Sequence, residues 1–165
     1  MFRRIINSYG TTLYVQIWEK RLKVVDISTG EVFDEQPLLL IDKSDPKNLT
    51  VVSFGNKASS MLLKNNTEII NPFSHPRVLC ADFFVAQKLL MVIFESLIKK
   101  TFLSPAPAVV MHPMEKLEGG LTMVERRVFR ELAYGSGARN AVVHVGNELP
   151  IQNFNFDSIE PEIDY

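Results

Sequence analysis

Four side chains of this sequence have the chemistry to hold a metal ion: three histidines, His75, His112 and His144, and the single cysteine, Cys80. None of them lies in a close paired spacing such as C-x-x-C or H-x-x-x-H, which would present two ligands together. We therefore predict no metal site and expect structural or surface roles for all four. A hydrolase would need a nucleophile and a base, and the adjacency of Ser74 and His75 in sequence is not evidence for such a pair.

The composition indicates one globular domain: 165 residues, of which 46% are apolar and 22% charged. A net charge of -1 gives no overall attraction to nucleic acid, so we expect no nucleic-acid partner. The charge is unevenly distributed, because the residues from Gly146 onward include five acids and no Lys or Arg.

A single cysteine excludes an internal disulfide framework, and the first ten residues lack the charged and then apolar pattern of an export signal. Both features predict a cytoplasmic protein. The most apolar stretch, residues 89–94, is far shorter than the roughly 20 residues that a membrane-spanning helix needs.

The first half of the sequence predicts strands. Residues 12–18 and 22–27 form two extended runs around a charged turn, and residues 32–41 form a third run that Pro37 interrupts. Antiparallel pairing of the three is the simplest arrangement. Residues 50–54 predict a further short strand, and residues 58–63 one or two helical turns.

Residues 82–100 contain no Gly or Pro, and their interior charges fall on one narrow stripe at Lys88, Glu95 and Lys99. Most of this helix must therefore be covered. Nineteen residues at 1.5 Å each span roughly 28 Å, so we predict a central helix packed on a sheet.

A second helix is predicted after Gly120, because Thr122 and Glu125 have the spacing of a capping box. Gly135 or Gly137 can provide the left-handed residue that ends it. The residues expected on its buried face are Leu121, Val124, Val128 and Leu132. Apolar runs at 108–111 and 141–145 flank this helix, which predicts a βαβ crossover with parallel strands.

Six motifs, in order, resemble those of the bacterial MreB family. The segments are GEVFDEQP at 30–37, VSFGNKA at 52–58, INPF at 70–73, ADFFV at 81–85, TMVERR at 122–127 and GAR at 137–139. They are similar to the family's G-x-V-x-x-E-P, V-x-x-G-x-x-A, I-R-P-M, A-D-F-x-V, T-x-V-E-R-R and G-A-R.

This resemblance implies an α/β fold: a single actin-like, ribonuclease-H-like lobe. Its mixed five-stranded sheet has an antiparallel three-strand front and a βαβ crossover, with helices packed on the sheet. We assign residues 1–150 to this lobe and residues 151–165 to an acidic, aromatic tail. The tail could dock on a partner, fray, or fold back over the lobe, and we favour folding back for residues 151–157.

The sequence departs from the family at the residues that serve ATP. The first phosphate loop, D-x-G-T, aligns with Gln16, Ile17, Trp18 and Glu19, which place a neutral amide, a large ring and an acid where the metal and phosphates would lie. The water-activating Glu is matched by Glu148 only after a shift of two or three residues. No second phosphate loop occurs before Tyr165. We therefore expect no ATPase and no cofactor, ATP and Mg²⁺ included.

Some MreB proteins carry an exposed apolar pair that enters the inner membrane, and Phe102 and Leu103 lie at the corresponding place. The adjacent Lys99 and Lys100 would favour anionic headgroups, so a peripheral contact at the inner membrane is one hypothesis. The alternative is that both apolar side chains cover the core.

The leading functional hypothesis is a non-catalytic, cytoplasmic interaction module that binds MreB filaments, other proteins of the cell-shape machinery or the inner membrane face. The competing hypothesis is a nucleotide-dependent phosphotransferase or ATPase that completes its cleft as a homodimer. A fragment that folds but has no role is the third.

Overall fold

The computed structural model describes residues 10–98 and 105–159, which form eight strands and three α-helices. The strands are β1 Thr12–Ile17, β2 Leu22–Asp26, β3 Val32–Glu35, β4 Leu39–Asp42, β5 Thr50–Phe54, β6 Thr67–Ile70, β7 Ala108–Pro113 and β8 Asn140–Val143. The helices are α1 Asn56–Ser60, α2 Phe83–Leu97 and α3 Met123–Gly135. A short 3₁₀ turn follows at Phe156–Ser158.

Five strands form the larger sheet in the order β3-β2-β1-β7-β8. The front strands β1, β2 and β3 pair antiparallel, whereas β7 pairs parallel with both β1 and β8. The parallel pair is joined through α3, as a βαβ crossover requires. The mixed five-stranded sheet predicted from the sequence is therefore confirmed, and the ends of β1, β2, β7 and β8 differ from the expected ones by one or two residues.

A second, three-stranded antiparallel sheet has the order β5-β4-β6, and the sequence did not predict it. The run at 32–41 is divided by Pro37, which has no N–H to give to a ladder. The residues before Pro37 pair with β2 in the larger sheet, and those after it form the centre of the smaller one. The interruption expected at Pro37 is thus a change of sheet.

Asp82 is the N-cap of the central helix α2, because its side chain accepts a hydrogen bond of 3.1 Å from the N–H of Val85. Seven of its fifteen residues are buried: Val85, Ala86, Leu89, Leu90, Ile93, Phe94 and Leu97. This confirms the predicted central helix. Within the part of the chain that the structure describes, no helix is long and apolar enough to cross a membrane.

The capping box predicted for α3 is present. Thr122 Oγ1 accepts from the N–H of Glu125 at 3.2 Å, and Glu125 Oε2 accepts from the N–H of Thr122 at 2.8 Å. The helix ends in a Schellman motif at Gly137, whose φ is +104°, so Gly137 and not Gly135 is the left-handed residue.

The predicted buried face of α3 is partly wrong, because the side chain of Val124 is 72% exposed. The buried residues of this helix are Phe129, Leu132 and Ala133. The observed buried face therefore shares Leu132 with the predicted one and does not include Val124. Val124 lies in the first turn, before the helix reaches the sheet core, where periodicity alone does not decide burial.

Side chains alternate between the two faces of the larger sheet. Leu13, Val15 and Ile17 of β1 join the core under α2 and α3, whereas Tyr14 and Gln16 are buried on the opposite face. Phe154 lies on that opposite face, with its ring centroid 6.0 Å from that of Tyr14. The segment after β8 therefore folds back over the sheet, as we favoured from its aromatic content.

Candidate functional site

The β1–β2 turn consists of residues 18–21, and the N–H of Trp18 closes it by donating to the carbonyl of Arg21 at 2.9 Å. Gln16 and Ile17, which we aligned with the phosphate loop, are the last two residues of β1 and are buried. Only Trp18 and Glu19 of the four aligned residues belong to the turn itself. The side-chain Nε2 of Gln16 lies 3.9 Å from the sulfur of Met114.

The backbone N–H of Glu19 is occupied by a carboxylate of the chain. It donates to Oε2 of Glu115 at 2.7 Å, a length typical of a charge-assisted hydrogen bond. A phosphate loop presents its backbone N–H groups to phosphate oxygens. In this chain a carboxylate oxygen holds that position instead.

The side chain of Glu19 is held as closely as its backbone. Its Oε2 lies 2.9 Å from Nζ of Lys116, and the hydroxyl of Ser74 donates to its Oε1 at 3.4 Å. The hydrogen bond with Lys116 is the main cause that lowers the pKa of the Glu19 carboxyl. Asn71 donates from Nδ2 to the carbonyl of Glu19 at 2.8 Å, so the N–H, the carbonyl and the carboxylate of one residue all have partners.

Lys116 is placed by an unusual backbone conformation, with a φ of +59° that residues with a side chain seldom adopt. Its ammonium also donates to the carbonyl of His75, and its side chain is only 16% exposed. The contact of Lys116 with His75 joins the segment after β7 to the segment after β6 and offsets the strain of the positive φ.

Arg21 faces the other side of the turn and forms a bidentate ion pair with Asp34 of β3, at 2.7 and 2.6 Å. This hydrogen bonding lowers the pKa of Asp34 and raises that of Arg21. The guanidinium carbon also lies 4.8 Å above the ring of Trp18, a cation–π distance. A cavity of about 410 Å³ opens at the turn; its lining residues are Trp18, Glu19, Lys20, Arg21 and Glu115.

Glu148, the shifted match to the catalytic Glu, is exposed in the segment after β8. The charge of Glu148 adds to the effect of Asp34 in raising the pKa of Arg21, which indicates that Glu148 lies near the turn. No described contact joins Glu148 to the Glu19–Lys116 pair.

A buried hydrogen-bond chain lies on the sheet face behind the turn. The hydroxyl of Tyr14 accepts from the N–H of Leu149 at 3.2 Å and donates to Nδ1 of His112 at 2.6 Å. Nε2 of His112 donates to the carbonyl of Gly146 at 3.1 Å, which fixes the neutral tautomer with its proton on Nε2. Burial lowers the pKa of His112, and the ring of His144, 4.6 Å away, adds to the shift.

Of the remaining predicted site residues, Lys99, Lys100, Phe102 and Leu103 lie outside the described residues. Cys80 is a partly buried thiol whose pKa is raised to about 11, mainly by burial, so it is protonated at neutral pH. Across residues 10–98 and 105–159, His, Cys, Asp and Glu side chains form no group of three that could hold a metal ion.

The sequence analysis missed Glu115, Lys116 and Asn71. A signal existed for two of them: Glu115 and Lys116 are charged residues that follow a buried parallel strand, and β7 pairs with the strand that enters the turn. Side chains at the carboxyl ends of neighbouring parallel strands meet at one edge of a sheet, where ligand sites of α/β proteins commonly lie.

Solved structures of actin-like proteins superpose on this chain. MreB5 of Spiroplasma citri bound to AMPPNP superposes with a TM-score of 0.63 at 19% identity, over 82% of this chain and 38% of that one. A non-polymerising MamK mutant bound to AMPPNP gives 0.62 at 16% identity, over 82% and 41%. The fold is therefore one actin-like lobe, as predicted.

The family model for MreB/Mbl protein matches residues 20–151. The chain belongs to the MreB/Mbl family. It is 25% identical to the cell shape-determining protein MreB of Haemophilus influenzae over 159 residues, which is 92% of this chain and 44% of the relative. MreB of Escherichia coli K12 is 28% identical, over 84% and 39%. The chain thus spans less than half the length of these curated relatives.

A shorter match is the uncharacterized protein YjaA of Escherichia coli K12, which is 38% identical over 69 residues, 39% of this chain and 54% of YjaA.

Proposed function

We propose that this chain is a non-catalytic, nucleotide-independent member of the MreB/Mbl family that works in the cytoplasm by binding MreB filaments or other proteins of the cell-shape machinery. The observation that carries the nucleotide-independent part is the hydrogen bond from the Glu19 N–H to the carboxylate of Glu115. A carboxylate of the chain accepts the hydrogen bond from the amide N–H that a phosphate oxygen would otherwise accept.

The electrostatics of the turn support this proposal. Phosphoryl transfer depends on positive groups and backbone donors that grip the phosphate chain. Glu19 and Glu115 both line the cavity at the turn. Among the cations at the turn, Lys116 pairs with Glu19 and Arg21 pairs with Asp34, while Lys20 also lines the cavity. A triphosphate entering this cavity would meet two carboxylates and displace two ion pairs.

Family membership supports the choice of partner. The MamK double helical filament is a structural neighbour at a TM-score of 0.56, so the lobe shared with this chain is one that assembles in filaments elsewhere. A lobe that keeps its fold without a nucleotide can retain assembly surfaces while its hydrolytic residues diverge.

Isothermal titration calorimetry with ATP and Mg²⁺ tests the first part, with a full-length MreB as the positive control. We expect no heat of binding for this chain, with or without raised protein concentration to favour a dimer. A dissociation constant tighter than about 100 µM, roughly -5.5 kcal/mol, would instead support the phosphotransferase or ATPase that a homodimer completes.

Sedimentation of polymerised MreB with this chain tests the second part. We expect the chain to pellet with the polymer, or to change the amount of polymer, at ratios from one to ten up to equimolar. An unrelated protein of similar size and charge is the control for trapping. A chain that stays in the supernatant and leaves the amount of polymer unchanged at equimolar concentration would remove MreB as the partner.

A further inference from the structure

We propose that the β1–β2 turn is an oxyanion-binding site that the chain fills with its own carboxylates, those of Glu115 and Glu19. This inference deepens the proposed function and depends on its nucleotide-independent part. It names the ligand class of the site, an oxyanion, and the residues that occupy it in the free protein.

The first half of the site is the backbone amide of Glu19. The N–H of Trp18 is used inside the turn, where it donates to Arg21. The N–H of Glu19 points out of the turn and meets Oε2 of Glu115 at 2.7 Å. Hydrogen bonds from backbone amides to ionised oxygens are short and strong, and carboxylate and phosphate oxygens can both accept them.

The second half is the ammonium of Lys116, which lies 2.9 Å from Oε2 of Glu19. The hydroxyl of Ser74 donates to the other oxygen of the same carboxylate. An ammonium, a hydroxyl and a backbone amide are donors of the kind that an oxyanion site requires. The ammonium and the hydroxyl meet the carboxylate of Glu19, and the amide meets that of Glu115.

The register of the larger sheet makes both contacts possible. Ile17, the last residue of β1, lies beside Pro113, the last residue of β7. Glu19 and Glu115 therefore each lie two residues past a strand end at the same edge. The left-handed backbone of Lys116 then turns its side chain back toward the carboxylate of Glu19.

Removal of the internal carboxylates should open the site. In the Glu19→Gln, Glu115→Ala double variant, the amide of residue 19, the hydroxyl of Ser74 and the ammonium of Lys116 all remain. We expect this variant to bind inorganic pyrophosphate at least about tenfold more tightly than the wild type, measured by calorimetry and by ³¹P NMR. Addition of Lys116→Met should abolish the gain, whereas Lys57→Met, an exposed lysine of α1, should leave it unchanged.

The outcomes separate this inference from the proposed function. A double variant that binds pyrophosphate no better than the wild type overturns the internal-ligand proposal, and so does a gain that survives Lys116→Met. Neither result affects the binding of MreB by the wild type, which the sedimentation experiment measures independently. Wild-type binding of ATP would overturn both.

A second measurement uses the wild type and needs no variant that might unfold. The carboxyl carbon of Glu19, followed by ¹³C NMR, should titrate with a pKa below the ordinary value of 4.5, because the Lys116 ammonium stabilises the charged form. In Lys116→Met this pKa should move upward, and in Lys57→Met it should not. A Glu19 carboxyl that titrates at 4.5 or above in the wild type contradicts the contact on which the site depends.

Discussion

The carboxylate of Glu115 accepts a hydrogen bond of 2.7 Å from the backbone N–H of Glu19, although 96 residues separate the two in sequence. The contact follows from the parallel pairing of β1 with β7, which brings the two strand ends to one edge of the sheet. The resemblance to the MreB family aligns its first phosphate loop with this edge. In this chain the carboxylates of Glu115 and Glu19 form contacts at that edge, which has consequences for the stability of the fold.

The Glu19–Lys116 pair predicts a dependence of stability on pH. The pKa of Glu19 is lowered in the folded state, so its contribution is present above the unfolded value of 4.5 and is lost as the pH falls through the lowered value. Lys116→Met should therefore reduce the free energy of unfolding at pH 7 and reduce its decline below pH 4.5. Urea unfolding at pH 7 and at several values between pH 5 and 3 measures both effects.

The matched control for this prediction is Lys57→Met, which removes an exposed ammonium of α1 far from the turn in sequence. Its unfolding curves should follow those of the wild type at every pH. Equal pH profiles for Lys116→Met and the wild type would show that the ion pair does not contribute to folding.

The capping box of α3 predicts a measurable loss of stability when the side-chain oxygen of Thr122 is removed. Thr122→Ala removes the oxygen that accepts from the N–H of Glu125, and it should destabilise the chain by about 1 kcal/mol. Thr122→Ser keeps that oxygen and is the control, with an expected change within about 0.5 kcal/mol. Equal free energies of unfolding for the Ala and Ser variants would mean that the cap is not formed in solution.

Local patterns in the sequence were sufficient for this cap, because both of its partners lie within four residues. They were sufficient for the larger sheet as well, since the hairpin turn, the central helix and the βαβ unit each have a pattern of their own. For the smaller sheet, only residues 50–54 had such a pattern, and they form its strand β5. Its strand β6, Thr67–Ile70, has only four residues and includes a charged one, and it is stabilised by its pairing with β4.

Burial on α3 distinguishes the predicted face from the observed one. Leu132→Ala should cost about 2–5 kcal/mol, because Leu132 is fully buried against the sheet and its truncation leaves a cavity. Val124→Ala is the matched control on the same helix and should change the free energy of unfolding by less than about 0.5 kcal/mol. Urea denaturation measures both, and a large loss for Val124→Ala would restore the face that periodicity predicted.

The candidate site shows a similar limit of sequence reasoning. The poor match of Trp18 and Glu19 to a phosphate loop could be recognised in the sequence, because a ring and an acid are unsuited to a phosphate. The carboxylate contacts that take the place of phosphate could not be recognised in the sequence, because they depend on the register between β1 and β7 and on the left-handed backbone of Lys116. Neither of these features leaves a periodic signal.

The buried Tyr14–His112 hydrogen bond predicts a second dependence on pH, at higher values. Burial lowers the pKa of His112 below 6.5, so the folded state prefers the neutral ring. The ring of His144 adds to this lowering, whereas the carbonyl of Gly146 and the charge of Glu148 oppose it. Stability should therefore be complete above pH 6.5 and should decline as the pH falls below it, until the pH reaches the lowered value.

His112→Gln removes the titrating ring and should flatten the decline below pH 6.5, measured by urea unfolding, whereas His144→Gln should retain most of it. Tyr14→Phe should cost about 1–3 kcal/mol at pH 7, because it leaves Nδ1 of His112 and the N–H of Leu149 without the hydroxyl that joins them. ¹⁵N NMR of the wild type should show the His112 proton on Nε2. A proton on Nδ1 would contradict the hydrogen-bond chain, because Tyr14 could then no longer donate to that nitrogen.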